Sequence, residues 1–344
     1  MAEWPNLPDM VAVCSKCGAA NPDDADYCMK CAAPLRTVRE DSALTIAEQV
    51  TGHTYGRRHT DRWIAPQWVL ILLLTVVPSA FLSIYGIAWS LYQAYVNDFF
   101  ALSSQWIYYF EIYGIPALEI IFAILAALLV IRLVSRLNDH SEREGRLMQD
   151  FVRYVRASAA PEQQSKITDE LILASQSYGR MNIFEKKLDA KRWGLMVAAL
   201  YVMNAAVMLA LYRIPLTFDY SMYAHSAFYS LMSIGIGVIS ALTSVVLIFL
   251  AIHLMRTLIV HQRRWREFVR SAYELLGMIG KKVPARYLPE APKERSVVRY
   301  TLFTAVTFGL YGFYWLYTLI DDPNKHFEMQ AGAEEALFAA IKGY

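Results

Sequence analysis

Five long apolar runs constrain the fold of this 344-residue chain more than any other feature. They cover residues 66–92, 112–131, 194–212, 226–252 and 300–320. About 20 helical residues cross the hydrocarbon core of a bilayer, and helices buried in water-soluble proteins rarely run this long with so little charge. The runs therefore predict an all-α polytopic membrane protein with four transmembrane helices and a fifth membrane segment.

The amino-acid composition supports the same class of protein. Hydrophobic residues make up 56% of the chain and charged residues only 19%. A water-soluble domain of this length usually carries about 25% charged residues. The shortage of charge is therefore what a chain embedded in lipid would show.

The loops between the runs predict the orientation. Residues 93–111 and 214–225 contain no Lys or Arg, whereas residues 132–192 carry twelve and residues 256–299 carry eleven. Basic segments stay on the cytoplasmic side of a membrane. The sequence thus predicts a multi-pass protein of the cell membrane with a cytoplasmic N-terminus.

All four cysteines lie within the first 31 residues, as Cys14-x-x-Cys17 and Cys28-x-x-Cys31. Two such pairs complete the tetrahedral four-sulfur shell of a structural zinc site, so we expect one Zn²⁺ ion here. Two disulfides or a redox-active iron are the alternatives. A cytoplasmic location argues against disulfides, and a closed shell argues against catalysis by the metal.

The segment from Cys14 to Leu35 resembles the small N-terminal zinc ribbons found on many prokaryotic membrane proteins. It departs from them at Ala32, where those ribbons usually repeat the glycine that follows Cys17. Because the first 36 residues hold three basic and five acidic side chains, we expect the ribbon to contact a protein and not a nucleic acid.

The fifth run is rich in glycine and aromatic residues between Phe308 and Tyr317. It resembles a Gly-x-Tyr-Gly-x-Tyr-Trp-x-Tyr motif of uncharacterised prokaryotic multi-pass membrane proteins, which implies a membrane location and no known activity. Its length favours a full span. A re-entrant hairpin that breaks near Gly309 and Gly312 is the alternative, and it would return His326 to the cytosol.

The chain also repeats itself. Arg62-Trp63 and Lys191-Arg192-Trp193 each open a hairpin that ends in a charged helix. The predicted organisation is a zinc ribbon (1–36), a flexible linker (37–62), a first transmembrane hairpin with its cytosolic helix (63–156), a cytosolic helical segment (157–192), a second such hairpin (193–298), and a fifth membrane segment with a C-terminal helix (299–344).

The helices that follow the hairpins are amphipathic. Apolar residues recur at helical spacing from Leu258 through Trp265 to Leu276, and we expect these stripes to pair with each other and not to lie along the lipid surface. His140, His261 and His326 recur in the repeat tails. Each lies among arginines with no obvious ligand pair at helical spacing, which favours polar capping at the membrane interface over metal binding.

Few polar residues interrupt the runs. An ionisable group inside a membrane is a functional candidate, and Glu119 and Asn204 are the candidates here. Snorkelling of Glu119 to the interface and an interhelical hydrogen bond from Asn204 are the more common roles. Ser233, Gly237 and Ala241 follow each other at intervals of four residues and predict a close helix-packing face, which self-association would use.

The sequence contains no zinc-protease, Walker, nucleophile-elbow or dinucleotide motif, so we expect no enzyme activity. The preferred function is a membrane-anchored scaffold or regulatory interaction protein, whose partners are the lipid bilayer and a cytosolic protein bound by the ribbon. The alternative is a small transporter or channel built from the repeated hairpins.

Overall fold

The computed structural model describes residues 12–21, 28, 30, 43–75, 113–184, 187–213, 222–283, 288–289, 295–307 and 309–343. Their secondary structure comprises β1 (Ala12–Val13), β2 (Ala20–Asn21), α1 (Ala43–Thr60), α2 (Ile115–Ser158), α3 (Gln164–Phe184), α4 (Ala190–Arg213), α5 (Met222–Met278), α6 (Val297–Val306) and α7 (Leu310–Lys342). Of the predicted first span, residues 68–75 are helical, whereas residues 76–92 lie outside the described residues.

Three of these helices are long and apolar enough to cross a membrane, namely Ile115–Ser158, Ala190–Ala210 and Ser230–Met278. In their most apolar stretches only 33%, 17% and 11% of the residues are buried inside the protein. Large apolar side chains such as Ile124, Leu195 and Val245 are instead more than half exposed. An apolar surface of this extent marks contact with lipid or with another protein.

Helices α2 and α4 pack against each other as neighbouring antiparallel rods. They approach each other closely at Gly194, where an added Cβ would lie 2.5 Å from Cγ1 of Ile131 and 3.1 Å from the carbonyl oxygen of Ala127. Only glycine leaves room for that approach. The contact fixes α4 against the apolar half of α2.

The C-terminal halves of α2 and α5 contribute buried hydrophobic side chains to a core that they share with α1, α3 and α7. We call this set of buried side chains the distal core. Trp265 and Phe268 of α5 are fully buried there, and the Phe268 ring meets the Phe151 ring of α2 edge to face at 5.5 Å. The predicted pairing of the amphipathic stripes is therefore correct, and these side chains do not lie along a lipid surface.

Residues 43–60 differ from their predicted role as part of a flexible linker, because they form helix α1. Its sequence is mostly polar, and the apolar side chains are few. Two of these, Ile46 and Val50, are 4% and 0% exposed in the distal core. Burial of these two residues holds the helix against α2 and α7.

The fifth run does not form the single span that its length favours. The chain breaks at Gly309, whose φ of 92° suits glycine far better than any other residue. Helix α7 then folds back along α6, so that the Tyr300 ring lies 5.5 Å from the rings of both Tyr311 and Trp315. The alternative, a hairpin broken near Gly309, describes this segment, with Gly312 lying inside α7.

Candidate functional site

Three histidines from three helices meet between the apolar half of the helices and the distal core. His140 of α2, His261 of α5 and His326 of α7 are 0%, 0% and 2% exposed, and their ring centroids lie 5.0–5.5 Å apart. Glu144, one helical turn after His140, is also fully buried among them. We call these four residues the junction cluster. The three rings therefore face one another inside the protein, a meeting that the sequence did not predict.

Ligand-type atoms of the junction cluster converge on one point. The Nε2 atoms of His140 and His261 are 3.1 Å apart. The Oε2 atom of Glu144 lies 2.8 Å from Nε2 of His261 and 3.5 Å from Nε2 of His140. One nitrogen of His326 completes a group of four atoms that all lie within 4.8 Å of one another.

Carboxylates and an amide surround the cluster and fix its orientation. Asp61, directly after α1, lies 2.7 Å from Nδ1 of His140 through its Oδ1. Gln330 of α7 donates from Nε2 to Oε2 of Glu144 at 3.0 Å and to Oε1 of Glu334 at 3.0 Å. The orientations of His140 and Glu144 are thus set by contacts with Asp61 and with α7.

Arg143 forms ion pairs with both Asp61 and Glu334. Its guanidinium group lies 3.0 Å from Oδ2 of Asp61 and 3.0 Å from both carboxylate oxygens of Glu334. All three side chains are at most 8% exposed. Because an unpaired buried charge costs several kcal/mol, this arginine makes the burial of both acids tolerable.

The contacts also set the protonation states. Burial alone would raise the pKa of Glu144, but its contacts with His261 and His140 outweigh burial and hold that pKa well below the usual range. Burial, reinforced by the charges of the other two histidines, lowers the pKa of His326 well below its usual value. The cluster therefore holds a carboxylate beside a neutral imidazole.

Sequence reasoning missed Asp61, Glu144, Gln330 and Glu334. One signal was available in the spacing, because Glu144 follows His140 by four residues and Gln330 and Glu334 follow His326 by four and eight. Residues at those intervals share one helix face. In each helix that polar face is the one that turns inward.

Two of the predicted zinc ligands, Cys14 and Cys17, lie in the turn between β1 and β2, and Cys28 follows β2 along the chain. The sulfur atoms of Cys14, Cys17 and Cys28 offer ligand atoms within 4.8 Å of one another. Sγ of Cys17 and Sγ of Cys28 are 3.4 Å apart, far beyond the ~2.05 Å of a disulfide bond and near the ~3.8 Å edge of a tetrahedral zinc–thiolate shell. Cys31 lies outside the described residues.

The backbone of the hairpin is arranged as a metal knuckle requires. Gly18 has a φ of 70°, and its amide donates to the carbonyl of Cys14 at 2.8 Å. The amide of Lys30 points at Sγ of Cys28 at 3.4 Å. Amides directed at thiolates stabilise their negative charge.

Residues 13–35 match the family model of the zinc-ribbon domain. This segment is a zinc ribbon. The ribbon holds one structural zinc ion, and Cys14, Cys17 and Cys28 supply sulfur ligands to it. No curated protein sequence and no solved structure matches the chain.

The predicted intramembrane residues Glu119 and Asn204 meet across α2 and α4. Nδ2 of Asn204 donates to the two carboxylate oxygens of Glu119 at 3.2 and 3.3 Å. Oδ1 of Asn204 is buried without a hydrogen-bond partner in the described part of the chain. The pair is thus a polar contact inside the apolar half of the protein.

The predicted packing face on α5 is exposed at the two positions whose side chains the structure describes. Gly237 and Ala241 are exposed, and a Cβ added to Gly237 would meet no atom within 4 Å. The side chain of Ser233 lies outside the described set. A close-packing role for this face therefore remains a prediction about a second molecule.

The Arg143 network predicts an unequal effect of two neighbouring arginine substitutions. Arg143→Ala removes the guanidinium group that Asp61 and Glu334 share and leaves Glu334 only the more distant Arg57, at 3.5 Å, so we expect a loss of about 3–5 kcal/mol in the free energy of unfolding. Arg146→Ala removes only an exposed pair with Glu142 and is expected to cost at most about 1 kcal/mol. Chemical denaturation of the protein in detergent measures both. Equal losses would contradict the role given to Arg143.

Proposed function

We propose that this chain is an integral protein of the cell membrane that acts as a membrane-anchored scaffold or regulatory interaction protein, with the zinc ribbon as its cytosolic adaptor. The observation that carries the proposal is that α2 and α5 each consist of two different halves. Each is one continuous helix, with an exposed apolar half and a half that builds the distal core. Such helices couple a membrane anchor to a rigid cytosolic body.

The charge distribution supports a cytosolic location of the distal core. The basic segments 132–192 and 256–299 contain the parts of α2, α3 and α5 that pack there, and basic segments stay in the cytoplasm. Reduced cysteines that bind zinc belong to the same compartment. Only seven residues separate the matched zinc-ribbon segment, which ends at residue 35, from helix α1 of the distal core, so the ribbon lies on that side as well.

The C-terminal hairpin fits the same orientation. Leu337 and Ile341 near the end of α7 are buried in the distal core together with Val50 of α1. The hairpin of α6 and α7 would therefore place its aromatic rings at the membrane interface, and α7 would lead the chain back to the cytosolic side. Tyrosine and tryptophan favour that depth because their rings are apolar and their tips are polar.

The ribbon has the properties of an adaptor. Its closed sulfur shell leaves no position for a substrate, and its acidic balance disfavours phosphate backbones. The distal core provides a fixed base for it. No arrangement typical of a nucleophilic or metal-dependent active site with an open ligand position occurs in the described residues, so we propose a binding role and not an enzymatic one.

The orientation can be tested in a variant whose four native cysteines are changed to Ser, by labelling one introduced cysteine at a time in intact cells with a maleimide that does not cross membranes. Gly343→Cys is expected to stay unlabelled until the cells are opened, because α7 returns to the cytosolic side. Ser103→Cys, in the loop predicted to lie outside, is expected to be labelled at once. Labelling of Gly343→Cys in intact cells would contradict this orientation.

Recruitment by the ribbon can be tested with the full-length protein after cross-linking in cells. Cys14→Ser combined with Cys28→Ser removes two zinc ligands, and we expect the loss of the same cytosolic proteins that the wild type captures. Ser15→Ala, an exposed substitution in the same turn, should capture the wild-type set. An unchanged set with the cysteine variant, at equal membrane abundance, would rule out recruitment by the ribbon.

The contact between Glu119 and Asn204 favours a second candidate, transport of an ion or small solute. A carboxylate between two candidate spans is an unusual and costly feature. In this case proteoliposomes would show a flux that Glu119→Gln abolishes and that Glu162→Gln, at an exposed site, leaves intact. Such a flux would contradict the scaffold proposal. Proteoliposomes that show no flux of ions or small solutes would rule out transport.

A further inference from the structure

We infer that His140, Glu144, His261 and His326 form a second metal site, separate from the zinc ribbon. Its ligand would be a divalent first-row transition-metal ion, for which Zn²⁺ is the best match. The junction cluster supplies three imidazoles and one carboxylate from three helices. The site is independent of the scaffold proposal, because it lies inside the helical bundle and not in the ribbon.

The distances match a tetrahedral ion. Bonds of about 2.0–2.1 Å from a zinc ion to nitrogen or oxygen place neighbouring ligand atoms about 3.3–3.4 Å apart. The three measured separations among His140, His261 and Glu144 are 3.1, 3.5 and 2.8 Å. They bracket the expected value without any rearrangement of the helices.

The lone pairs of the cluster also converge. The carboxylate of Asp61 can only accept a hydrogen bond, so the contact at 2.7 Å places the proton of a neutral His140 on Nδ1 and the lone pair on Nε2. That lone pair points to the carboxylate of Glu144 and to His261. Acceptors that face each other in a buried site repel unless a proton or a cation lies between them.

Two ligand-type atoms stay unsatisfied without a cation. Nε2 of His326 and Oε1 of Glu144 are buried and have no hydrogen-bond partner in the described ranges. A buried polar atom left without a partner costs about 1–3 kcal/mol. A metal ion would accept the lone pair of the imidazole and either oxygen of Glu144.

The surroundings have the form of a second coordination shell. Metal-bound histidines usually donate their other N–H to a carboxylate, as His140 does to Asp61. Gln330 holds Oε2 of Glu144 in place. A divalent ion together with Arg143 would place three positive charges against the negative charges of Asp61, Glu144 and Glu334, which lowers the cost of burying them.

The donor set selects the class of metal. Imidazole nitrogen suits Zn²⁺ and its first-row neighbours, whereas Mg²⁺ and Ca²⁺ prefer shells made only of oxygen. Four protein ligands and almost no exposure leave no position for a substrate, so the ion would be structural. It would join α2, α5 and α7 at the point where their apolar halves meet the distal core.

A metal-free alternative is a proton shared by His261 and Glu144. In that arrangement Nε2 of His261 would donate to Glu144, and its Nδ1 would accept from Arg264, whose Nη2 lies 3.5 Å away. The two arrangements differ in metal content, which makes them separable by experiment.

The test counts metal in the full-length protein, purified in detergent without a polyhistidine tag. Elemental analysis of the wild type is expected to give two ions per chain, and X-ray absorption should show both sulfur and nitrogen or oxygen ligands. The variant with Cys14, Cys17, Cys28 and Cys31 all changed to Ser should keep one ion, with nitrogen or oxygen ligands at about 2.0–2.1 Å and no sulfur at about 2.3 Å.

Substitutions in the junction cluster test the converse, namely loss of the second ion while the ribbon keeps its own. His326→Gln in the wild-type background is expected to lose the nitrogen-bound ion and keep the sulfur-bound one. His253→Gln, on α5 but outside the cluster, is the matched control and should keep both. One sulfur-bound ion in the folded wild type would overturn the proposal, whatever the stability of the variants.

The second shell can be tested with a matched pair of aspartates. Asp61→Asn is expected to weaken the binding of the nitrogen-bound ion about 10–100-fold in competition with a chelator. Asp150→Asn removes a similar contact, because Asp150 pairs with His53 at 2.8 Å and with Arg153, and it should leave the affinity unchanged. An equal loss in both variants would show that Asp61 acts only through general stability.

Discussion

Buried charge between the apolar half of the protein and the distal core determines where the helices can lie. Asp61, Glu144 and Glu334 come from three different elements, and Arg143 together with the histidines is what makes their burial tolerable. Each contact needs its partner within about 3 Å, so a shift of α7 by one helical turn would leave at least one carboxylate unpaired. Apolar packing alone tolerates such shifts far better. The polar layer therefore fixes the register that the distal core then fills.

This layer also explains the path of the C-terminal segment. A single straight span from residue 300 to residue 320 would carry His326, Gln330 and Glu334 away from α2 and α5. The break at Gly309 reverses the chain, so that these three residues face inward at the level of His140. Burial of Leu337 and Phe338 further along α7 adds apolar stabilisation on the same side. Polar and apolar contacts therefore favour the same hairpin.

The sequence predicted some of these features and not others, for physical reasons that differ. The length and spacing of apolar runs predict the long helices, and the spacing of the cysteines predicts the ribbon, because both patterns are local in the sequence. Helix α1 was missed because only a few residues, Ile46 and Val50 foremost, anchor an otherwise polar segment. The junction cluster was missed because its three histidines lie 65 to 186 residues apart along the chain. Only packing of the three helices brings them together.

The internal repeat connects these observations. His140 and Phe151 of the first tail are 11 residues apart, and His261 and Phe268 of the second are 7 apart. The difference of four residues is close to one helical turn, so each histidine and its phenylalanine stay on one face. In space the two histidines meet at 3.1 Å between their Nε2 atoms and the two phenylalanine rings meet at 5.5 Å. Equivalent faces of the two tails thus pack against each other, and a repeated histidine becomes a pair. The third tail adds His326 to that pair, and the carboxylate of Glu144 adds the negative charge that a cation requires.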